Sequence, residues 1–592
     1  MCGIAGLMTY DGTAPPPAPL RAMGEALRHR GPDGDGRYRS GDVGMVQTRL
    51  AIIDLATGDQ PLYEPGGAAL IANGEIYNYL ELRADFGSTD PAAFSTHSDC
   101  ELPLHLYRRY GLGFAAHLRG MYAIALHDPA ARQLVLTRDP FGIKPLYYAE
   151  TPRAFAFASE PSALIEAGIV TPQLVRSVRN ELLQMQFTTG RETIFAGINR
   201  VLPGETVVVR RGRIVERRRR PALPEGGPLQ LCEEEGLARL DAALMESVRL
   251  HQRSDVPFGV FLSGGIDSTA VLTMMARLAE RPVKAFTIGF AGSEVADERP
   301  AARVAAASVG AEHVELVFNE ADFWKRLPEI ISAVDDPAAD YAILPTWALA
   351  QAAHETGLKV ILTGEGGDEL FAGYGRYRSA MRPWWAGGRT PRARGVLDGL
   401  GLLRNEIAGW RDGIAAAEIR NCGNRRTPLQ VAQAVDCADW LPNDLLTKLD
   451  RCLMAHSTEG RTPFLDTELA ALIYCLPDEL KVRRGLGKWL LRRWLADCRS
   501  DVPAFTRKRG FTVPVVHWIA RRGAEIGPLV ARSTAVREIC WPDAVERLFA
   551  APANKRTARA AWNLLFYALW HRRHIERAAS LPDTIAALAD CG

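Results

Sequence analysis

Cys2 follows the initiator in Met1-Cys2-Gly3-Ile4-Ala5-Gly6, and trimming of Met1 would leave its thiol beside a free α-amine. Those two groups form a self-contained catalytic pair. An unperturbed α-amine titrates at about 7.7–8.0, so near neutrality it can take the thiol proton and later return it. The thiolate is the better nucleophile, and acyl chemistry on it passes through a thioester. Most N-terminal cysteines are ordinary residues in frayed termini, so other motifs must carry the reading.

Two further loops do so. Ser263-Gly264-Gly265-Ile266-Asp267-Ser268 lies between an apolar run and an amphipathic segment. Glycines let backbone N–H groups close on an anion, a helix N-terminus adds positive potential, and two serines offer hydroxyls, which together make a phosphate cradle. Asp267 cannot favour a bare phosphate and makes best sense as a ligand for phosphate-bound Mg²⁺. No GK[ST] follows, so this is not a Walker A loop. The second loop, Thr363-Gly364-Glu365-Gly366-Gly367-Asp368-Glu369, again ends an apolar run. Its three carboxylates point to metal binding and acid–base work. In a parallel sheet both loops would lie at the carboxyl edge, where ligands bind. A tight strand-to-helix turn and an acidic surface turn are the plain alternatives, and the joint occurrence of the loops makes them poor.

Short strands separated by turns are predicted over roughly the first 200 residues, where short apolar runs alternate with Gly, Pro and Asp clusters: Gly44–Ile53, Ala69–Tyr77, Met121–Leu126, Gln133–Thr137, Pro145–Tyr148 and Ala154–Ala158. Helices are expected at Leu20–Arg28 and Cys100–Tyr110. Arg210–Gly227 has few apolar residues, carries the run Arg217–Arg220 and ends in Pro and Gly, so its latter part reads as a solvated interdomain linker. With no aromatics interleaved, the arginine run does not favour nucleic acid. Strands and helices then alternate: helix Leu237–Leu250, strand Val256–Leu262, helix Ser268–Leu278, strand Val283–Phe290, helix Pro300–Val309, strand His313–Phe318, helix Pro345–Glu355 and strand Leu358–Thr363. That rhythm indicates βαβ units and a parallel sheet covered on both faces. Beyond about Pro383 the chain reads as mainly helical.

At 592 residues the chain is too long for one core, so two or more domains are expected. Lys+Arg (71) nearly balance Asp+Glu (69), so no global field advertises nucleic acid or an anionic membrane. The ten cysteines show no CxxC pair and no zinc spacing, which fits a reducing compartment. No apolar run reaches ~18–20 residues and no signal-peptide pattern opens the chain, so a cytoplasmic protein without a membrane span is expected.

Together these motifs resemble the glutamine-hydrolysing asparagine synthetase family, over nearly the whole chain. The resemblance implies an α+β N-terminal domain (an Ntn-hydrolase-like αββα sandwich, a class II glutaminase), then an α/β parallel-sheet ATP-pyrophosphatase domain with a helical C-terminal extension. The boundaries would be residues 1–210, a linker at 211–228, and residues 229–592. Cys2 matches the family nucleophile, and Arg28-His29-Arg30-Gly31-Pro32-Asp33 is a family signature. Arg49 matches the residue holding the glutamine α-carboxylate, a planar anion suited to a bidentate guanidinium. Asn73-Gly74-Glu75 matches the next element, with the Asn73 amide and Gly74 N–H as oxyanion hole and Glu75 beside the bound glutamine. Asp99 matches the carboxylate reading the α-ammonium. Arg138–Tyr148 resembles a mainly structural signature.

For the second half, the resemblance assigns Ser263, Gly264, Gly265, Asp267 and Ser268 to pyrophosphate and Mg²⁺, and Phe261, Ile288, Thr363 and Gly364 to ATP. Asp368 becomes a second metal-side carboxylate, Glu365 an acid–base residue for ammonia attack, and Lys488 a cation stabilising an acyl-adenylate. Lys488 rests on the resemblance alone, since a lone lysine on a helix is usually solvated. Glu459–Asp466 is expected as scaffold. Departures touch the acceptor side: Asp335–Tyr341 does not specify an acceptor, Gly460 and Thr462 replace the more usual Ala and Val, and Pro383–Trp440 matches loosely. The implied activity is glutamine-dependent, ATP-consuming conversion of aspartate to asparagine, with a paralogue amidating another carboxylate, such as a sugar acid or peptide precursor, as the alternative. A homodimer is compatible with this reading, and oligomeric state stays open.

Overall fold

A computed structural model describes the chain except residues 1, 88–93, 292–294, 296, 383, 384, 386, 387, 389, 424, 507–512, 551–553, 580 and 590–592. Met1 thus lies outside the described residues, as does Arg507–Thr512, the opening of a stretch through Trp518 that also resembles the family.

Runs of apolar and β-branched residues bounded by Gly, Pro and Asp turns form the strands β1 (Gly3–Thr9), β2 (Gly34–Ser40), β3 (Val43–Arg49), β4 (Leu62–Tyr63), β5 (Ala69–Ile76), β6 (Gly120–Asp128), β7 (Gln133–Arg138), β8 (Tyr147–Glu150), β9 (Ala154–Ala158), β10 (Asn199–Arg200), β11 (Glu205–Arg210) and β12 (Arg213–Arg219). They make two six-stranded sheets, ordered β10-β8-β9-β1-β3-β2 and β12-β11-β7-β6-β5-β4. Neighbouring strands run antiparallel throughout. Ile4, Met8, Met45 and Phe157 from the first sheet pack with Ile71, Ala125 and Leu136 from the second in one buried cluster. Alternate residues point the other way, as the two-residue strand period requires. Ala5, Leu7 and Val46 meet Leu20 and Met23 of the helix Pro17–Ala26, while Leu70, Ile124 and Leu126 meet Leu104 and Leu106 of the helix Leu102–Tyr110.

Two expectations change here. The strand predicted over Gly44–Ile53 ends at Arg49, because the chain turns back and the Asp54 carbonyl accepts from the Arg49 guanidinium at 2.5 Å. The first part of the expected linker 211–228, with three of the four arginines of its basic run, is instead an edge strand. Arg213–Arg219 pair with β11, Arg217 donates to the Tyr148 hydroxyl at 2.7 Å, and Glu205 lies 3.4 Å from Arg217. Charged residues suit an edge exposed to water.

In the second half, β13 (Phe258–Phe261), β14 (Lys284–Phe290), β15 (Glu312–Phe318), β16 (Val360–Leu362) and β17 (Glu459–Arg461) form a parallel sheet ordered β15-β14-β13-β16-β17. The helices Ile266–Leu278, Arg299–Ser308 and Ile343–Glu355 connect its strands. Glu459–Arg461, expected as scaffold, is thus a sheet strand beside the acidic loop. The remainder is mainly helical, including Thr447–Met454, Trp489–Cys498 and the 20-residue helix Lys555–His574. No helix among the described residues is long and apolar enough to cross a membrane.

Candidate functional site

Strand register brings Cys2 to the seam between the antiparallel sheets. Gly3 pairs with Thr48, which leaves Cys2 just beyond the end of β1, and its backbone N–H donates to Asn73 Oδ1 at 3.1 Å across to β5. With its oxygen engaged, the Asn73 amide nitrogen is buried and has no hydrogen-bond partner among the described residues. A buried orphan donor costs free energy unless something accepts from it. Placed beside the Cys2 backbone, it is of the kind that suits a developing oxyanion. Gly74 must be glycine, since a Cβ there would stand 2.1 Å from the Met121 carbonyl oxygen across the ladder to β6.

Cys2 is itself buried, and burial pushes its thiol pKa up, against pulls from the Leu50 backbone and the Gln47 side chain. Such a thiol needs a base. Asp99 accepts from the Ile76 N–H at 2.6 Å, and burial lifts its carboxyl to about 6. Burial, with Glu459 and Asp99 near, raises the Glu75 carboxyl well above its ordinary value. Arg49 is held by the Asp54 carbonyl and, at 2.7 Å, by the exposed Asp59 carboxylate. Every cysteine among the described residues is free.

The second site forms where β13 and β16 end. Phe261 closes β13, Ile288 lies within β14, and Ser263 opens the turn. Ser263 Oγ and Ser268 Oγ are 3.0 Å apart, and Gly265 N–H donates to Ser263 Oγ at 3.2 Å. Gly264 takes a left-handed φ of +69°, and a Cβ there would come within 2.7 Å of the Ala302 nitrogen. The two Gly-rich loops press together: a Cβ on Gly364 would stand 2.9 Å from the Ser268 nitrogen, and one on Gly367 2.6 Å from Asp267 Oδ1. Thr363 N–H donates to the Arg461 carbonyl at 2.9 Å.

Lys488 is not a solvated residue on a helix. It is buried, precedes the helix Trp489–Cys498 in a left-handed conformation (φ +61°), and inserts its ammonium between Asp267 and Asp368, 2.6 Å from Asp368 Oδ1. Burial opposes its charge, yet the two carboxylates hold its pKa above the ordinary lysine value. Beside them Glu365, 3.7 Å from the Lys448 ammonium, is pushed up by burial. No cluster of three or more His, Cys, Asp or Glu among the described residues could hold a metal by itself.

The sequence matches the Asparagine synthase family over residues 239–572 and the Glutamine amidotransferase domain over residues 1–219. It is 31% identical to asparagine synthetase [glutamine-hydrolyzing] 1 of Bacillus subtilis, covering 98% of this chain and 97% of that protein. This chain belongs to the asparagine synthase family.

Fungal relatives carry other names. Amidase chyE of Penicillium rubens is 31% identical over 98% of this chain and all of that protein, and amidase chry2 of Gibberella zeae 29% over 88% and 90%. Within this asparagine synthase fold the two sites are tied by side chains the motifs did not single out. Arg461 on β17 lies 3.4 Å from Glu75 and donates to Glu459 at 2.6 Å, while its carbonyl receives Thr363 of the acidic loop. Arg30 donates to the Cys2 carbonyl at 3.2 Å and also grips Glu160 and Asp450. Arg30 and Arg461 stood within quoted segments, but only as signature and scaffold. Lys448 and Asp450, on the helix Thr447–Met454, carried no motif at all.

Proposed function

We propose that this chain is a glutamine-dependent ligase that uses ATP to amidate a carboxylate, with aspartate as acceptor and asparagine as product. The observation that carries the coupling is Arg461, whose guanidinium lies against Glu75 of the Cys2 site and whose carbonyl holds Thr363 of the acidic loop. A stand-alone hydrolase would have no need of that tie.

In this reading residues 1–210 form an Ntn-hydrolase-like αββα glutaminase and residues 229–592 the synthetase, with the glutaminase strands running on to Arg219. Arg49 and Asp99 hold the α-carboxylate and α-ammonium of glutamine, and Glu75 closes the wall beside them. The Cys2 thiol, kept protonated by burial, gives its proton to the α-amine exposed once Met1 is removed, then attacks the carboxamide. The free Asn73 N–H and the Gly74 N–H receive the oxyanion, the α-ammonium returns its proton to the amide nitrogen so that ammonia leaves, and water releases glutamate from the thioester.

At the second site Ser263, Gly264, Gly265 and Ser268 cradle the ATP phosphates at the N-terminus of the helix Ile266–Leu278, while Phe261, Ile288, Thr363 and Gly364 border the nucleoside. The acceptor carboxylate attacks the α-phosphorus, pyrophosphate leaves, and ammonia displaces AMP from the acyl-adenylate. Glu365, with its raised pKa, takes the proton that the attacking ammonia loses. Asp267 and Asp368 fit Mg²⁺: two hard carboxylate oxygens are a usual protein share for an ion whose other ligands are phosphates and water. The ion would neutralise phosphate charge as it builds. Lys488, already between the two carboxylates, supplies a fixed cation there. The amidase-named relatives favour a second reading, amidation of another carboxylate on the same machinery. A cytoplasmic setting suits either.

The test is pyrophosphate release from ATP with glutamine, with and without L-aspartate, with asparagine quantified. Aspartate-dependent pyrophosphate matched by asparagine supports the aspartate reading. Silence with aspartate, in enzyme that still hydrolyses glutamine, points to the other acceptor class.

A further inference from the structure

The acidic loop continues outward through Lys448, whose ammonium is 3.7 Å from Glu365 Oε1 and donates to Asp340 Oδ2 at 3.2 Å. Asp340 Oδ1 accepts from the Ala342 N–H at 3.0 Å, which orients the carboxylate at the start of the helix Ile343–Glu355. The segment bearing Asp340 is clamped just before it. The Ala339 carbonyl accepts from Gln186 Nε2 at 2.9 Å and from the Trp562 indole at 2.7 Å, and the Ala339 N–H donates to the Gln186 carbonyl at 2.8 Å. Trp562 belongs to the C-terminal helix Lys555–His574, so that helix forms part of the wall around Asp340.

Arg559 stands three residues before Trp562 and donates Nε to the other end of the same Gln186 side chain. Gln186 thereby orients both Ala339 and Arg559. The two terminal nitrogens of Arg559 make no hydrogen bond or ion pair with the described residues, and the side chain remains open to solvent. The charged and titratable groups acting on it are Tyr341, Asp340, Asp444 and Arg392. A guanidinium anchored through Nε, with its fork left free, is arranged to take a planar anion in two parallel hydrogen bonds.

We propose that Arg559 and Asp340 read the head of the acceptor, Arg559 binding the carboxylate that is not amidated and Asp340 the ammonium, so that the acceptor is a free amino acid bearing a second carboxylate. The inference rests on the ligase reading above and deepens it. It also gives the C-terminal helix a role that no motif announced. Arg559 acts by holding substrate, and the reacting carboxylate is left to Glu365 and the nucleotide site.

The full-length enzyme tests this through pyrophosphate release with L-aspartate, its α-amide and its N-acetyl derivative. In the wild type, blocking either α-group raises the acceptor KM at least about tenfold. Arg559→Met raises KM for L-aspartate by about 10–100-fold, with KM for ATP little changed, and no longer distinguishes L-aspartate from the α-amide. Asp340→Asn loses the discrimination against the N-acetyl compound instead, and Arg559→Lys recovers part of the lost affinity. Unchanged acceptor KM in Arg559→Met, or retained discrimination against the α-amide, overturns the assignment. A merely structural Arg559 would raise the KM values for ATP and all three acceptors together. If the wild type accepts another free amino acid and not aspartate, the aspartate reading falls and the head-reading pair stands. If it accepts only carboxylates lacking an amino-acid head, the pair falls as well.

Discussion

Arg30 and Asp450, separated by 420 residues of chain, are joined by two hydrogen bonds of 2.8 and 3.0 Å, and the same guanidinium donates to the carbonyl of Cys2 at 3.2 Å. Both side chains are buried. Arg451 adds a bond to Asp450 at 2.9 Å and one to Asp335 at 2.7 Å, which carries the network towards the segment bearing Asp340. The backbone of Cys2 is therefore positioned in part by the second half of the chain.

Removing one partner leaves the other charged and buried. Asp450→Ala should cost about 3–5 kcal/mol of stability. It should also slow glutamine hydrolysis, although Asp450 touches no glutamine. Thermal unfolding and glutaminase assays of the variant check this, and an unchanged melting temperature would count against the network.

Cys2→Ala should abolish glutamine-dependent pyrophosphate release while leaving synthesis from high ammonium largely intact. An uncleaved extension before Cys2 should have the same effect, because the α-amine is then an amide without basicity. Equal loss of both activities would show that the two sites are not separable.

Asp99 carries a pH dependence with a definite sign. Its carboxyl, lifted to about 6 by burial, binds an ammonium only when ionised. Below about 6 the protonated fraction grows, and KM for glutamine should rise by about tenfold per pH unit. Asp99→Asn should start from a KM higher by about 10–100-fold and lose that inflection. A wild-type KM flat between pH 5 and 8, a window of about three units around that value, would exclude Asp99 as the ammonium ligand.

Lys488→Met should remove the cation between Asp267 and Asp368 and lower pyrophosphate formation by about 10²–10³, the usual cost of losing one fixed charge-stabilising group. Glutaminase turnover should survive in this variant. Asp267→Ala should likewise suppress pyrophosphate release while glutamine is still hydrolysed, and persistent pyrophosphate there would refute a role for Asp267 at the phosphates.

Much of this site is local in sequence. The turn Ser263–Ser268 and the loop Thr363–Glu369 are legible because glycines at Gly264, Gly364 and Gly367 admit neighbours that any side chain would exclude. Cys2 stands out by type and place, Asn73 and Asp99 enter only through the family resemblance, and most strand and helix positions follow from apolar period. The edge strand β12 is not legible in the sequence, because Arg217–Arg219 carry charge where period alone cannot separate a wet strand from a linker.

Residue types and spacing by themselves pointed to two kinds of chemistry, a thiol nucleophile and a phosphate cradle, and determined the alternation of strands and helices that presents the two Gly-rich loops. Only the tertiary structure decided how they are joined. Lys488 came to Asp267 and Asp368, Arg30 to Asp450, and Arg461 to Glu75 through contacts between residues far apart in the chain. Periodicity reports which face of an element is buried and is silent on which distant charge it meets. Those pairings follow from the packing of whole elements, where a buried charge is tolerated only if its partner arrives.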